Sequence, residues 1–134
     1  MKQIRSILLL TVALALCAGC KTILPGNDPI IVRAEQSIQV AYATFDTFTA
    51  LDNDNRELFK TKFPTVHEFA EWLRASVGQP PMPRGLSIIQ SANRVKLAYK
   101  SNRTAQNKAS LVTALATLES AVMESQRQLA ATKP

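Results

Sequence analysis

Residues 105–130 read AQNKASLVTALATLESAVMESQRQLA, a stretch whose pattern decides the fold class. Its large apolar residues recur at spacings of three and four, which places them on one stripe of an α-helix. Thr104 precedes the stretch, and its side chain is of the type that caps a helix by accepting a free backbone N–H. The pattern predicts a long last helix with heptad spacing, as in a coiled coil. The stripe consists of Leu111, Leu115, Leu118, Val122 and Leu129, with Ser125 as the one polar interruption.

The same spacing recurs in a second long segment that begins at Asp28-Pro29. Asp is a common N-cap residue, and proline has the backbone angle of a first helical turn. We expect this helix to end at Asp52 or somewhat beyond it, because residues 52–55 (Asp-Asn-Asp-Asn) form either a turn or an exposed helical turn. The chain therefore has a long first helix as well as a long last one. The apolar stripe of the first helix contains Ile31, Ala34, Ile38, Ala41, Phe45 and Phe48.

Two shorter helices are predicted between the long ones. Pro64 breaks the preceding helix because it has no N–H to donate. Residues 65–68 (Thr-Val-His-Glu) have the pattern of a capping box, which opens a helix that Gly78 ends as a left-handed cap. Residues 79–84 (QPPMPR) are a stiff connector, and a further helix covers about Ser87 to Lys100. The apolar positions of these two helices are Val66, Phe69, Ala70, Leu73 and Val77, and then Ile88, Ala92, Val95 and Tyr99.

Composition agrees with one helical domain. The chain has 134 residues, of which 46% are hydrophobic and 19% are charged, and it contains only 4 glycines. Both cysteines lie within the first 20 residues, so no disulfide can cross-link the body of the fold. We therefore predict an all-α fold, in which residues 28–131 form a small bundle of three to four helices with a long first and a long last helix.

The N-terminus has the features of an export signal. Lys2 and Arg5 are followed by an uncharged, mainly apolar run from Ile7 to Gly19. A helix needs about 20 apolar residues to cross the ~30 Å hydrocarbon core of a bilayer, and this run is shorter. A positive start, a short apolar core and small residues at the end are typical of a secretory signal peptide.

The end of this segment, Leu16-Cys17-Ala18-Gly19-Cys20, resembles the lipobox of bacterial lipoproteins. Its last three residues fit the last three positions of that motif, whereas Cys17 stands where the family has Leu. The resemblance implies that residues 1–19 are a lipoprotein signal peptide and that Cys20 carries the lipid. The alternative is an ordinary cleaved signal peptide with an unmodified Cys20.

Residues 20–27 then form a short lipidated tether ahead of the bundle. Lys21 follows the modified cysteine, whereas lipoproteins that stay in the inner membrane tend to have Asp there. The resemblance therefore implies attachment to the outer membrane of a Gram-negative cell, facing the periplasm. Residues 98–122 (AYKSNRTAQNKASLVTALATLESAV) also look like part of the small helical lipoproteins of phages and prophages, which implies a role in host lysis or in exclusion of a superinfecting phage.

Residues with catalytic or metal-binding chemistry are few. His67 is the only histidine, and Glu71 follows it on the same helix face at a spacing of four. A zinc site would need carboxylates as its other ligands, and we interpret this pair as a local contact instead. Asp52 with Asp54, or Glu68 with Glu71, are paired carboxylates of the kind that hydrolyse glycans, but nothing in the sequence places them in a cleft. We therefore predict no enzyme activity, no cofactor and no metal.

Charge is segregated along the chain. Residues 22–57 contain six acidic residues and two basic ones, whereas residues 72–118 contain seven basic residues and no acidic one. Lys96, Lys100 and Arg103 share one helix face if the helix extends that far. The basic run either pairs internally with the acidic first helix or forms a surface for an external anion or partner. The residues of that candidate surface are Arg94, Lys96, Lys100, Arg103 and Lys108.

These observations leave three classes of function. We favour a membrane-anchored, non-catalytic lipoprotein that binds an envelope protein. The second class is a module that binds anionic lipid, lipopolysaccharide or cell-wall polymer through the basic face, and the third is a peptidoglycan hydrolase. Trp72 either covers one end of the bundle as a boundary residue or is an exposed aromatic that meets a partner or a membrane interface. Nucleic acid is not expected, because the chain is exported and has no recognition motif, and no small-molecule substrate is indicated.

Overall fold

Five α-helices and one short β-hairpin make up residues 28–132, which are the residues that the computed structural model describes. In the hairpin, strand β1 (Ser76–Val77) pairs antiparallel with strand β2 (Met82–Pro83). The predicted signal peptide, Cys20 and the tether lie outside the described residues. The helices are α1 (Pro29–Asp54), α2 (Arg56–Lys62), α3 (Pro64–Arg74), α4 (Arg84–Ser101) and α5 (Ala105–Ala130).

The structure confirms the all-α prediction and both long helices. Helices α1 and α5 have 26 residues each. The side chain of Asp28 accepts a hydrogen bond from the backbone N–H of Ile30 at 3.1 Å, and Pro29 is the first residue of α1. The side chain of Thr104 accepts from the N–H of Asn107 at 3.1 Å in the same way. Both long helices therefore begin where their sequence signals predict.

The described residues contain five helices rather than three or four, and the additional one is α2. Helix α1 continues to Asp54, and Asn55 ends it. The backbone N–H and the side-chain amide of Asn55 donate to the Leu51 carbonyl at 3.2 and 2.9 Å. The chain then forms α2, in which Phe59 is the only buried residue. One buried residue makes no periodic pattern, so the sequence carries no signal for α2.

The capping box predicted for the next helix does not form. Helix α3 begins at Pro64, and the N-cap residue is Phe63, which makes no side-chain capping bond. Thr65 is therefore already inside the first turn, where its side chain cannot act as the N-cap. Proline accounts for this start, because its fixed backbone angle suits the first helical position.

The second helix also ends earlier than predicted. Helix α3 stops at Arg74, and Val77 lies in β1 instead of on the helix stripe. Gly78 does have a left-handed backbone (φ 79°), but it belongs to the hairpin turn and not to a helix cap. Residues 79–84 form the rest of that turn, strand β2 and the first residue of α4 instead of an extended connector.

The core lies between α1, α4 and α5, with α3 packed against the C-terminal half of α1. All six residues of the predicted α1 stripe are buried, and so is the α5 stripe except for the half-buried Leu129. Each large apolar side chain buried in this way contributes about 1.5–3 kcal/mol. In α4 the prediction is one residue off at its start, because Ile89 is buried and Ile88 is only partly so. No helix within residues 28–132 combines the length and the apolarity that crossing a bilayer requires.

Helix α4 runs antiparallel to α1 and gives the domain two ends. Its first turn touches α1 and α3, because a Cβ on Gly85 would lie 3.2 Å from Cδ2 of Phe45 and 3.3 Å from Cδ2 of Leu73. Its last turn reaches the start of α1, where the hydroxyl of Tyr99 donates to Asp28. At a rise of about 1.5 Å per residue, the 26 residues of α1 separate the two ends by about 39 Å.

Candidate functional site

A buried aspartate organises the end of the bundle that contains α2 and α3. Asp52, in the last turn of α1, is 0% exposed. Nδ1 of His67 lies 2.9 Å from one of its carboxylate oxygens, and Nη1 of Arg74 donates to the other at 2.7 Å. His67 and Arg74 belong to α3, so these contacts cross between two helices. We call Asp52, His67, Glu71 and Arg74 the polar cluster.

Arg74 connects the polar cluster to further groups. Its Nη2 donates to the carbonyl of Thr49 at 2.7 Å and to Oδ1 of Asn53 at 2.8 Å. Its Nη1 also donates to Oε1 of Glu71 at 2.9 Å, and Arg56 of α2 donates to that same oxygen at 3.1 Å. The guanidinium therefore connects α1 to α3, and the bond between Arg56 and Glu71 connects α2 to the same network. Every buried side-chain nitrogen and oxygen in residues 28–132 has a hydrogen-bond partner.

The polar cluster contains atoms that could bind a metal ion, but the guanidinium of Arg74 already lies against its carboxylates. Asp52, His67 and Glu71 each offer one ligand atom, and these atoms lie within 4.8 Å of one another. Nη1 of Arg74 donates to both carboxylates, so the guanidinium supplies the charge that a cation would supply. His67 bonds to Asp52 and not to Glu71, the partner that helical spacing suggested. The arrangement fits a structural ion-pair network.

The contacts of the polar cluster also bear on catalysis. An aspartate bonded to Nδ1 of a histidine is two thirds of a hydrolytic triad, and the third member is a nucleophile at the other ring nitrogen. Within residues 28–132, the side chain of His67 bonds only to Asp52. Asp52 and Glu71, which belong to the two carboxylate pairs considered for glycan hydrolysis, are both bonded to Arg74. These contacts favour a role in holding helices together.

Phe69, Trp72 and Arg84 form a second feature near the same end, which we call the aromatic surface. Trp72 stacks on Phe69 with ring centroids 5.3 Å apart, and the guanidinium carbon of Arg84 lies 4.8 Å from the Trp72 ring centroid. Phe69 in turn meets Phe48 of α1 edge-on at 5.5 Å. Trp72 nevertheless keeps 38% of its surface exposed, so it both covers the core and faces solvent. A shallow depression of about 430 Å³ lies beside it, lined by Thr65, Glu68, Phe69, Trp72 and Gln128.

The predicted basic surface is divided by the fold. Nζ of Lys96 and Nζ of Lys100 lie 4.0 and 3.9 Å from a carboxylate oxygen of Glu35 on α1. This is the contact that the internal-pairing alternative predicts, although the distances are long for ion pairs. The side chain of Lys96 is 13% exposed and that of Lys100 is 58% exposed. Arg94 is two residues before Lys96, which corresponds to about 200° of helical rotation. Arg94 is therefore exposed on the side of α4 opposite to Lys96.

The two remaining residues of the predicted basic surface, Arg103 and Lys108, lie near the start of α1. Nη1 of Arg103 lies 3.8 Å from Oδ2 of Asp28, and the hydroxyl of Tyr99 donates to that oxygen at 2.9 Å. The hydrogen bond from Tyr99 holds the pKa of Asp28 below its ordinary value of 3.8, against the effect of burial. The N–H of Ile30 and the charges of Arg103 and Lys108 lower that pKa further. We call Lys100, Arg103 and Lys108 the cationic end.

Sequence reasoning missed an ion pair between the two long helices. Nε of Arg33 donates to Oε1 of Glu119 at 2.9 Å, and the hydroxyl of Ser37 donates to the same oxygen at 2.9 Å. The hydrogen bond from Arg33 lowers the pKa of Glu119 below its ordinary value of 4.5. Glu119 follows Leu118 of the heptad stripe, and positions that flank such a stripe commonly carry interhelical ion pairs. That flanking position is the signal that could have revealed the pair.

Comparison with known proteins gives no relative for this chain. No protein-family model matches the sequence, and no curated protein and no solved structure matches it either.

Proposed function

We propose that the chain is a bacterial lipoprotein, anchored through Cys20 in the outer membrane and facing the periplasm, whose helical domain binds an envelope protein without catalysing a reaction. The lipobox-like residues 16–20 and Lys21 support the anchor. The observation that carries the binding role is Trp72, a stacked but partly exposed aromatic residue far from the point where the tether joins the domain.

The position of the aromatic surface supports this role. The tether joins the domain at Asp28, and Phe69 packs on Phe48, which is 20 residues further along α1. This separation is about 30 Å at 1.5 Å per residue. A domain held at Cys20 can therefore present Trp72 to the periplasm and away from the lipid.

The contacts of Trp72 also suit a binding residue. Trp and Arg are enriched among the few residues that carry most of the binding energy of protein interfaces, and Trp72 has Arg84 against its ring. Because the ring is already stacked on Phe69, little side-chain freedom is lost when a partner covers it. The polar cluster gives α3 a fixed position through Arg74, which holds the aromatic surface in place.

Removal of the modified cysteine tests the anchor. Cys20→Ala should leave an unlipidated precursor, because diacylglyceryl transfer requires the thiol. The wild-type chain should carry acyl groups by mass spectrometry and fractionate with the outer membrane, whereas the variant should do neither. A variant that is processed and retained like the wild type would contradict the anchor.

Site-specific photocrosslinking in intact cells tests the binding role. A photoreactive residue at position 72 should give one discrete adduct with an envelope protein, whereas the same residue at Asn93, an exposed position of α4, should give none. Equal adducts from both positions, or none from position 72, would contradict a partner at the aromatic surface. The phage origin suggested by residues 98–122 is part of this proposal, and lysis or tail genes beside this gene would support it.

A further inference from the structure

We infer that the cationic end is a docking surface for the anionic phospholipid headgroups of the leaflet that holds the lipid anchor. This inference rests on the proposed lipidation of Cys20. It assigns to Lys100, Arg103 and Lys108 a role in orienting the domain, since the acyl chains alone hold it to the membrane.

The basic residues of the cationic end are exposed to solvent. The side chains of Lys100 and Arg103 are 58% and 57% exposed, and each lies almost 4 Å from its acidic neighbour. Lys108 is exposed as well. Asp28 is largely covered and already accepts from Tyr99 and from Ile30. Glu35, the acidic neighbour of Lys100, is 47% exposed, so solvent and a nearby anion meet three exposed positive charges and one half-exposed carboxylate.

The cationic end also lies close to the residues that connect the domain to Cys20. Residues 21–27 separate Cys20 from Asp28, and seven residues span at most about 25 Å even when fully extended. Arg103 lies 3.8 Å from Asp28, and Lys108 lies in the first turn of α5, where its backbone N–H donates to the Thr104 carbonyl at 3.0 Å. The cationic end is thus at the point where the domain joins the tether. Headgroup charge acts within a screening length of about 8 Å, so this end is the part of the domain best placed to meet it.

Charge complementarity selects the occupant. A lipid anchor that faces the periplasm would lie in the inner leaflet of the outer membrane, and the anionic headgroups of that leaflet, represented here by phosphatidylglycerol, have the charge opposite to that of the cationic end. A basic residue close to such a surface favours the bound state about fivefold, so three of them shift the docked population on the order of a hundredfold. With the cationic end on the lipid, α1 extends away from the membrane and carries the aromatic surface about 30 Å outward.

Two labels on α5 can measure this orientation in the lipidated protein. Cys20 is acylated in the mature chain and Cys17 is removed with the signal, so one introduced cysteine is labelled alone. Gln106→Cys lies near the cationic end and Gln126→Cys lies 20 residues further along, about 30 Å away. Energy transfer to acceptor-labelled headgroups is then measured in vesicles of phosphatidylcholine with and without phosphatidylglycerol, at low and high salt.

The inference expects strong transfer from position 106 and weak transfer from position 126 in vesicles that contain phosphatidylglycerol. The difference should fall with added salt and in the variant Lys100→Gln/Arg103→Gln/Lys108→Gln, with a docked-to-undocked ratio on the order of a hundredfold lower. The matched control Lys60→Gln/Lys62→Gln/Arg94→Gln removes the same charge elsewhere and should keep the difference. A difference that appears only when lipid A replaces phosphatidylglycerol would overturn the proposed occupant.

Failure of this inference is distinguishable from failure of the proposed function. A chain that carries no acyl group by mass spectrometry and stays out of the vesicles removes the anchor itself. A chain that is acylated and inserted, but whose two labels transfer equally with and without phosphatidylglycerol, overturns the docking surface alone and leaves the anchored lipoprotein intact.

Discussion

The two ends of the domain use charge in opposite ways. In the polar cluster, Arg74 donates at 2.7 Å to Asp52, whose side chain is completely buried. At the cationic end, Lys100 and Arg103 lie 3.9 and 3.8 Å from their acidic neighbours, and more than half of each side chain is exposed. A buried pair is costly to break, whereas an exposed pair contributes little to folding. Charge therefore stabilises one end and is available for binding at the other.

The largest effect that would sharpen this comparison is expected from Arg74→Met. The variant leaves the carboxylate of Asp52 buried with only His67 beside it, which should lower the free energy of unfolding by about 3–5 kcal/mol. Arg94→Met is the matched control, because Arg94 is exposed and should change that free energy by less than about 0.5 kcal/mol. Urea unfolding measures both, and a change in Arg74→Met as small as in the control would show that the polar cluster does not stabilise the fold.

A smaller loss is expected from Trp72→Ala near the same end. The substitution removes the stacking on Phe69 and the contact with Arg84, and it exposes apolar area that is now covered. The free energy of unfolding should fall by about 1–2 kcal/mol. Leu97→Ala is the control, since Leu97 is 52% exposed and should be nearly neutral. Equal losses in thermal or urea unfolding would place Trp72 among ordinary surface residues.

A still smaller, pH-dependent effect is expected at the start of α1. The pKa of Asp28 is lowered in the folded state, mainly by the hydrogen bond from Tyr99. The ionised carboxylate therefore stabilises the fold fully at pH values above 3.8, the ordinary pKa of this group. This stabilisation is lost as the pH falls through the lower pKa of the folded state. Asp28→Asn should be less stable than the wild type at pH 6, and the two should converge towards pH 2. A difference that persists unchanged at pH 2 would contradict a role for the charge.

The smallest effect is expected from the cationic end itself. Lys100→Gln/Arg103→Gln/Lys108→Gln should change the free energy of unfolding by no more than about 1 kcal/mol in total, because the charges are exposed and solvent screens their pairs. Thermal unfolding at low and at physiological salt measures this. A loss as large as that of Arg74→Met would mean that the basic run serves internal pairing and would remove the contrast between the two ends.

The long helices could be predicted from the sequence because their signals are local and repeated. The apolar stripe of α1 returns six times, and Asp28 and Thr104 cap the helices that directly follow them. Each of these features needs only a few neighbouring residues to be recognised. The predicted boundaries of α3 were wrong, and the hairpin was not predicted, because the same local motifs can mislead. Thr65 fits a capping box, but the helix already begins at Pro64, and Gly78 fits a helix cap, but it lies in the turn between two paired strands.

The polar cluster could not be predicted in this way. Asp52 belongs to the polar segment 52–55, for which the sequence predicts either a turn or an exposed helical turn, yet its side chain is buried. Its partners His67 and Arg74 come from another helix, 15 and 22 residues later. Burial of this carboxylate depends on how α3 crosses α1, and single-helix patterns carry no information on that crossing. The basic run was likewise predicted as a group, whereas the packing separates Lys96 from Arg94.

The contacts of Arg74 have a consequence for the order in which the chain folds. Its contacts with α1 close loops of 21 to 25 residues, whereas the Arg33–Glu119 pair between the long helices spans 86. Shorter loops cost less entropy to close, and structures with local contacts form faster. We therefore expect the segment from Thr49 to Arg74 to assemble before α5 docks on α1. Pulse-labelled hydrogen exchange during refolding should then protect the amides of α3 ahead of those of α5, and the reverse order would contradict this sequence of events.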